Sequence, residues 1–368
     1  MLSAAAFDSL SVPIVDLYEQ YSQSVLNDIS RRLAKMDMTS TAAWQMQRLS
    51  ESGMVYQNAL KELSRMTGKS EATLQALFEK GGVKSVAFDD RIYKAAGLNP
   101  LPLNLSPSML NVLLAGLRKT DGKIKNLTMT TALSARNVFI DAADLAYMKV
   151  TTGAFSYNEA IRQAVKGMAA KGLSTIDYAS GRQEALDVAM RRTVLTGVGQ
   201  TTARLSLDRA GEMNSDLVQM SAHAGARPEH EVWQGKIFSL SGTHPDYPPF
   251  VESTGYGTVT GFAGINCRHT CYPFFEGLSE NAYSKSDVME MNNATVEYNG
   301  KQIGQYEASQ IQRYLERGIR NWKRQADCLD SMGEDNSVES VLVKKWQEKM
   351  RDFIKETDLL RQRNREQI

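Results

Sequence analysis

Apolar residues recur at steps of three and four along the first half of the chain, which is the spacing of amphipathic helices. The run from Ile14 to Leu33 is the clearest case, and Pro13 fits the first turn of the helix that it predicts. We expect the chain to stay largely helical as far as Leu207. Shorter helices are expected there, because turn-forming residues interrupt the pattern at Gly53, Thr67-Gly68, Gly81-Gly82 and Pro100 to Pro107.

Two further signals locate helices in this half of the chain. Ser106-Pro107 is typical of a helix start, with serine as the N-cap and proline at the first helical position. The apolar positions between Thr120 and Lys149 fit one long helix, and Gly153 is placed to end it.

After about Asp216 the pattern changes to short β-compatible runs with many glycine, proline and aromatic residues between them. Such runs predict a small antiparallel sheet with long connections. From Ser284 the helical spacing returns and is expected to continue to Ile368. The strand candidates are Leu217 to Ser221, Glu231 to Leu240, Gly255 to Phe262 and Cys267 to Phe275.

These patterns predict an α+β fold in three consecutive regions. A mainly helical N-terminal region would cover 1–155, and a helical C-terminal region would cover 284–368. Between them, 156–283 would form a core with helices followed by the small antiparallel sheet. A length of 368 residues, 42% of them apolar and 23% charged, is ordinary for a protein with a sizeable core.

Composition narrows the classes of protein that fit. The net charge is +1, so any contact with nucleic acid has to come from a local patch. Apolar runs such as Met109 to Leu117 are far shorter than the ~20 residues that span a bilayer, so no membrane insertion is expected. Asp8 interrupts the first apolar stretch before a secretion signal could form, and three cysteines are too few for a disulfide framework. We therefore expect synthesis in a cytoplasm, with reduced thiols.

Candidate chemistry is concentrated between Val218 and Phe275. Two of the three cysteines and all four histidines of the chain lie in this segment. The segment therefore concentrates side chains that can ligate a metal, stack or transfer a proton. The histidines are His223, His230, His244 and His269.

A zinc site is one interpretation of this cluster. Cys267, His269 and Cys271 are spaced by two, so on a strand their side chains would project from one face. Together with His230 they could form a tetrahedral site. Their spacing, however, is not that of the usual structural sites, whose ligands pair two to four residues apart across a tight turn. A zinc-stabilised binding module is kept as an alternative, and no metal or other cofactor is assigned.

The interpretation that we prefer is structural. Arg227, His230 and His269 would satisfy buried carbonyls and carboxylates, while the cysteines pack as small apolar groups. Asn266 and Arg268 would hold a long irregular connection in place. The cluster would then be a network of buried polar contacts that ties the small sheet together.

A nuclease or transferase centred on His230 and His269 is the second alternative. His230 would act as the general base, and Arg227 or Arg268 would stabilise an anion. No serine elbow, P-loop, dinucleotide fingerprint or H-E-x-x-H pair accompanies these residues. We therefore expect no enzymatic activity and assign no catalytic residue.

The segment SAHAGARPEHEVWQGKIFSLSG, followed by GINCRHTCYPFFEG, resembles the signature of the phage minor capsid protein 2 family, which is related to the Mu F-like phage head morphogenesis proteins. In that family an A-R-x-x-H block precedes a W-Q-G strand, and an N-C-R-H block follows some tens of residues later. Flanking similarity extends the resemblance from Tyr178 to Gln325. The matching residues are Ala226, Arg227, His230, Trp233, Gln234, Gly235, Asn266, Cys267, Arg268 and His269.

The resemblance implies a structural minor capsid protein in the virion head of a tailed phage, made in the cytoplasm of the bacterial host. Such a protein would be associated with the portal vertex or the capsid interior, in low copy number. Its partners would be the portal protein, the major capsid protein or both, with a part in head morphogenesis, DNA packaging or DNA ejection. No catalytic duty comes with the resemblance.

A basic stripe is predicted in the downstream segment QIQRYLERGIRNWKRQ. Its arginines fall at steps of four, three and four, which places their guanidinium groups on one face of a helix. Beside packaged DNA such a face could contact phosphates, and it could equally contact a partner protein or simply be solvated. The four residues are Arg313, Arg317, Arg320 and Arg324.

Overall fold

The computed structural model describes residues 2–36, 40–153, 155–177 and 181–368; the first three residues of the flanking similarity, 178–180, lie outside these ranges. Helices dominate and the strands are short, so the expected α+β class is confirmed. The described α-helices are α1 Ala4–Leu10, α2 Val12–Ala34, α3 Thr41–Ala95, α4 Pro107–Thr151, α5 Tyr157–Lys171, α6 Leu186–Glu212, α7 Pro228–Glu231, α8 Phe250–Thr254, α9 Lys285–Asn292, α10 Gln305–Asp330 and α11 Ser337–Thr357. The described strands are β1 Ser174–Asp177, β2 Arg182–Ala185, β3 Leu217–Met220, β4 Ile237–Ser239, β5 Cys271–Pro273, β6 Thr295–Tyr298 and β7 Lys301–Gly304.

The chain forms two compact units, each assembled from three separate segments. Neither unit is one consecutive stretch of the chain. The three consecutive regions given in the sequence analysis concern the helix and strand content along the chain, and they stay a prediction. The first unit comprises Met1–Pro13, Glu71–Lys123 and Arg191–Gln310. The second unit comprises Ile14–Ser70, Ile124–Met190 and Ile311–Ile368.

Helix α2 has the apolar face that its sequence spacing predicts. Residues at steps of three and four, from Ile14 to Leu33, are buried along it. In the second unit Gln23 and Asn27 of α2 both donate to one carboxylate oxygen of Asp327, each at 2.7 Å. None of the described helices combines the length and the apolarity that a membrane span requires.

Helix α3 runs unbroken for 55 residues, so the expected division at Gly53, Gly68 and Gly81-Gly82 is wrong. An interior glycine costs about 1 kcal/mol relative to alanine, but its N–H and C=O stay in the helical ladder. The apolar side chains buried along α3 offset that cost. At Gly82 an added Cβ would lie 3.0 Å from Leu113 and 3.2 Å from Leu205, so the missing side chain also makes room for neighbours.

Helix α4 begins where the sequence predicts. Pro107 is its first residue, and the Ser106 hydroxyl accepts the N–H of Met109 at 3.4 Å. The helix ends at Thr151, and Gly153 follows with a φ of 70°, the left-handed conformation typical of a helix end.

In the first unit, α4 and α6 approach each other through a reciprocal pair of glycines. A Cβ on Gly116 of α4 would lie 2.0 Å from Oγ1 of Thr201, and a Cβ on Gly197 of α6 would lie 2.1 Å from Oγ1 of Thr120. Each threonine hydroxyl donates to the glycine carbonyl four residues earlier in its own helix, at 2.9 Å for Thr120 and 2.8 Å for Thr201. This close approach requires that both glycines lack a side chain.

The sheet of the first unit has the order β4-β3-β5, and both of its strand pairs are antiparallel, as predicted. Val218 at the centre pairs with Phe238 on one side and with Pro273 on the other. The four residues of β3 are all buried, so the sheet sits inside this unit.

Three of the strand predictions need correction. The predicted strand from Glu231 to Leu240 narrows to β4, because Glu231 ends α7 and the residues 232–235 form turns. The stretch Gly255 to Phe262 is a loop, because Gly255 and Gly257 adopt φ values of 63° and 90° that turn the chain. The predicted strand from Cys267 to Phe275 narrows to β5. Its first four residues are not part of a strand, although the carbonyl of Thr270 accepts the N–H of Ser221 at 2.8 Å.

Two antiparallel strand pairs lie where the sequence interpretation expected no strands. In the first unit β6 and β7 pair across Asn299-Gly300, whose φ values of 52° and 71° are those of a tight hairpin turn. The expectation of unbroken helix from Ser284 is therefore wrong. In the second unit β1 pairs with β2 in antiparallel register, from Ser174 opposite Ala185 onward.

Candidate functional site

The cluster between Val218 and Phe275 is built around an apolar core in the first unit. Trp233 and Phe262 meet edge to face there, with ring centroids 6.2 Å apart. This packing encloses the polar side chains that the sequence singled out. The other buried members of the core are Ala203, Val218, Met220, Phe238, Phe250, Ala263, Cys267 and Cys271.

Helix α7 positions His230. Pro228 starts this single turn, and His230 is 2% exposed at its end. The His230 Nε2 atom lies 2.7 Å from the carbonyl oxygen of Thr260. Because a carbonyl only accepts, Nε2 carries the proton and donates it. Arg227 precedes the turn, and its guanidinium group donates to the carbonyl oxygen of Ile265 at 2.8 Å. This hydrogen bond holds the loop that contains Ile265 beside Arg227.

Gln234 is the centre of the buried polar network. Its Oε1 atom accepts the backbone N–H of His223 at 3.1 Å and faces Nε2 of His269 at 3.0 Å. Its side-chain amide donates to Asn292. The backbone N–H of His223 can only donate, so it fixes the orientation of the amide and places the proton of His269 on Nε2.

The aromatic rings in this network are in mutual contact. The ring of His269 stacks on His223 at a centroid distance of 4.5 Å and meets Trp233 edge to face at 4.7 Å. The ring of His230 lies 5.2 Å from His269 and 4.6 Å from Trp233. The predicted signature residues His230, Trp233 and His269 are therefore brought together.

Cys267 joins this group, whereas Cys271 does not. The Cys267 Sγ atom lies 3.7 Å from Nδ1 of His269. One ligand atom each from His230, Cys267 and His269 lie within 4.8 Å of one another, and all three residues are buried. Cys271 lies on β5 outside that group. The one-faced strand expected from the spacing is absent, because 267–270 precede β5 and are not part of a strand.

Burial sets the charge state of these groups. It lowers the pKa of His230 and His223, and it lowers that of His269 well below the ordinary histidine value. It also raises the pKa of the Cys267 and Cys271 thiols. At neutral pH the histidine rings are therefore uncharged and both thiols are protonated. Neither cysteine is then in the thiolate form that a cysteine nucleophile requires.

The remaining signature residues have backbone or ionic roles. Gly235 adopts a φ of 73°, and an added Cβ would lie 2.6 Å from Val288. Arg268 pairs with Asp8 at 3.1 Å, and the same carboxylate accepts Arg191 at 2.8 Å. Asn266 is exposed in its turn.

The four arginines of the predicted basic stripe have different environments in the second unit. Arg320 is buried, pairs with Asp187 at 2.8 Å and lies 3.7 Å from Glu19. Arg324 donates to the carbonyl of Ala169 at 3.0 Å. Arg313 is half-buried and Arg317 is exposed, so the stripe is not a row of four solvent-facing guanidinium groups.

Sequence reasoning missed several partners in the network. It gave no role to Gln234 or His223, and it did not connect Asp8 or the Thr260 carbonyl to the cluster. The glutamine is flanked by Trp233 and Gly235, so its position in a matched motif was the available signal. The backbone carbonyl and the distant aspartate leave no trace in the sequence.

The chain is similar to structural proteins of phages. It is 24% identical over 356 residues to a structural protein of Lactococcus phage LL-H, a match that covers 93% of each chain. It is 35% identical over 128 residues to a structural protein of Lactococcus phage mv4, which covers 34% of this chain and 94% of that protein. No solved structure matches the chain significantly.

These relatives define the class, a structural protein of a phage particle. The model of the family described as phage minor capsid protein 2 matches residues 2–355. The chain therefore belongs to the phage minor capsid protein 2 family, which confirms the resemblance given by the motifs around His230 and His269.

Proposed function

We propose that the protein is a non-enzymatic, low-copy component of the phage head, made in the host cytoplasm and located at the portal vertex or in the capsid interior. Its neighbours in the particle would be the portal protein, the major capsid protein or both. The observation that carries the proposal is the family match over residues 2–355, which includes residues of both compact units.

The burial of the histidine cluster supports a structural role for it. His230 and His269 are only 2% and 3% exposed, so a nucleic-acid substrate could not reach either ring without opening of the core. Each ring is also held by a carbonyl acceptor, Thr260 for His230 and Gln234 for His269. Satisfied buried polar groups of this kind fix one packing arrangement of a core.

The neighbours in the particle can be identified by cross-linking mass spectrometry on purified heads with a lysine-reactive reagent. Exposed lysines are available in both units, at Lys61 and Lys344 in the second and at Lys80 and Lys301 in the first. We expect cross-links to the portal or major capsid protein. Cross-links confined to tail proteins would contradict the proposed location.

The nuclease or transferase alternative predicts turnover of nucleic acid by the purified protein. The structural proposal predicts none, with or without added divalent metal. Turnover that disappears in His230→Gln, while that variant keeps the circular dichroism spectrum and Tm of the parent, would favour the enzyme instead.

Contact with packaged DNA is proposed for Arg317 and does not extend to Arg320 or Arg324, whose guanidinium groups bind within the second unit. A pocket of about 440 Å³ beside them also contains the carboxylate of Asp187, which repels phosphate. Replacing Arg317 by alanine should reduce the salt dependence of binding to duplex DNA by about 0.9 in log–log slope, as expected for one lost phosphate contact. An unchanged slope would remove DNA contact from the proposal.

A further inference from the structure

We propose that His230, Cys267 and His269 are three ligands of a zinc ion buried in the first unit. This inference goes beyond the location in the particle and concerns the protein by itself. It starts from the placement of the three ligand atoms within 4.8 Å of one another in a buried core.

The distances are close to those of a tetrahedral site. Zinc holds nitrogen at about 2.0–2.1 Å and sulfur at about 2.3 Å, so neighbouring ligand atoms lie roughly 3.3–3.6 Å apart. The separation of 3.7 Å between Cys267 Sγ and His269 Nδ1 nearly matches this. All separations lie within 4.8 Å, so closing even the widest of them requires a change of at most about 1.2–1.5 Å, which side-chain rotation can supply.

The outer hydrogen bonds favour metal binding by both histidines. Nε2 of His230 donates to Thr260 and Nε2 of His269 donates to Gln234 Oε1, so the lone pair of each ring is on Nδ1. Metal-bound histidines almost always donate their other ring N–H to a carbonyl or carboxylate in this way. The network thus holds each ring in the tautomer that a metal requires.

His223 provides a second observation at the same place. Its Nδ1 atom faces the carbonyl oxygen of Ala224 at 3.0 Å, so its lone pair is on Nε2. That Nε2 atom is buried and has no hydrogen-bond partner among the described residues, and its ring stacks on His269. A zinc-bound water in the fourth coordination position could donate to this nitrogen.

The chemistry of the donor set points to zinc. One thiolate with two neutral imidazoles suits Zn²⁺, whereas Mg²⁺ and Ca²⁺ prefer oxygen ligands. On binding, the Cys267 thiol would lose its proton to solvent and coordinate as thiolate, while both rings coordinate in the neutral form that burial already favours. Without a metal, the same residues would form only the hydrogen-bonded network described above.

The test measures zinc in the full chain, purified without a histidine tag and under reducing conditions. We expect about one zinc per chain by elemental analysis, and we expect its removal by a chelator to lower the Tm reversibly. Cys267→Ser should lose the zinc. Cys328→Ser, which alters a buried cysteine of the second unit, should keep it.

Cobalt substitution adds a spectroscopic readout for the same ligands. The parent and Cys328→Ser, reloaded with Co²⁺, should show a thiolate-to-cobalt charge-transfer band and the intense visible bands of tetrahedral coordination. A folded parent protein that neither contains nor takes up one zinc per chain would overturn the proposal. So would a Cys267→Ser variant with the zinc content of the parent. If Cys267→Ser does not fold, the zinc content and chelator response of the parent decide alone.

Discussion

Gly235 ends the turn that places His230, Trp233 and Gln234 in the core. Its φ of 73° lies in the left-handed region, which costs a residue with a side chain roughly 1–2 kcal/mol. An alanine Cβ would in addition meet Val288 at 2.6 Å. The glycine of the W-Q-G motif is therefore required by both backbone conformation and space.

Gly235→Ala is expected to lower the free energy of unfolding by about 2–5 kcal/mol, the sum of backbone strain and overpacking. Gly277→Ala is the matched control, because its φ is 74° and no described atom lies within 4 Å of its added Cβ. The free energy of unfolding of Gly277→Ala should fall by only about 1–2 kcal/mol. Equal losses in chemical denaturation would show that the contact with Val288 has no effect.

Asp89 in α3 is a buried acid with a raised pKa. Burial raises the pKa of this carboxyl to about 7, against the hydrogen bond that Ser206 donates to it at 2.6 Å. The folded state therefore binds the proton more tightly than the unfolded state. The stabilisation is complete below about pH 4 and is lost as the pH rises to about 7.

Asp89→Asn should remove this part of the pH dependence, since an amide of the same shape can still accept from Ser206. The free energy of unfolding of the variant minus that of the parent should rise between pH 4 and pH 7, by at most about 1.4 kcal/mol per pH unit. Urea denaturation at several pH values measures this difference. A difference independent of pH would show that Asp89 ionises in the folded protein as readily as in the unfolded chain.

At the site, the sequence was sufficient to identify which residue types gather and insufficient to give their geometry. His230, Cys267 and His269 were named together from their concentration in one segment. Cys271 was grouped with them because a strand places alternate residues on one face. Residues 267–270 lie outside β5, so the alternation does not extend back from Cys271 to Cys267. Where this strand begins depends on its pairing with β3, which the local sequence does not specify.

At the scale of elements, the crossing of α4 and α6 depends on Gly116 and Gly197. Replacing either by alanine should destabilise the protein by about 2–4 kcal/mol, because the new Cβ would overlap a threonine hydroxyl. Gly122→Ala in α4 and Gly211→Ala in α6 are the controls. No described atom lies within 4 Å of either added Cβ, so these changes should stabilise by up to about 1 kcal/mol.

The same crossing allows a rescue experiment. Thr201→Ala removes Oγ1 and Cγ2, the two atoms nearest to a Cβ on Gly116, at 2.0 and 2.9 Å. The double variant with Gly116→Ala should therefore recover part of the lost Tm. If the decrease in Tm of the double variant equals the sum of the decreases caused by Gly116→Ala and Thr201→Ala alone, the two positions are not in contact.

Helix α2 and the start of α4 were predictable because their signals are local. The 55-residue length of α3 was not, since glycines that look like breaks are tolerated where the neighbouring side chains are buried. The hairpin of β6 and β7 had a local signal, Asn299-Gly300 between β-compatible residues, which the helical spacing on either side obscured. The loop at Gly255 to Phe262 resembles a strand in composition only.

At the scale of the whole molecule, the two compact units could not be predicted from changes in composition along the chain. Helices α2, α3, α4, α6 and α10 each contribute residues to both units, so no linker segment marks those boundaries in the sequence. The family match and the LL-H relative both extend over nearly the whole chain, whereas the mv4 relative matches about a third of it. Family membership thus concerns the chain as a whole, beyond the histidine segment.

The central claim, that this chain is a minor component of the phage head, is tested most directly by quantitative mass spectrometry of purified particles separated into heads and tails. We predict that the protein is found in the head fraction, at a copy number far below that of the major capsid protein. Its absence from purified particles, or its recovery with the tails alone, would contradict the account.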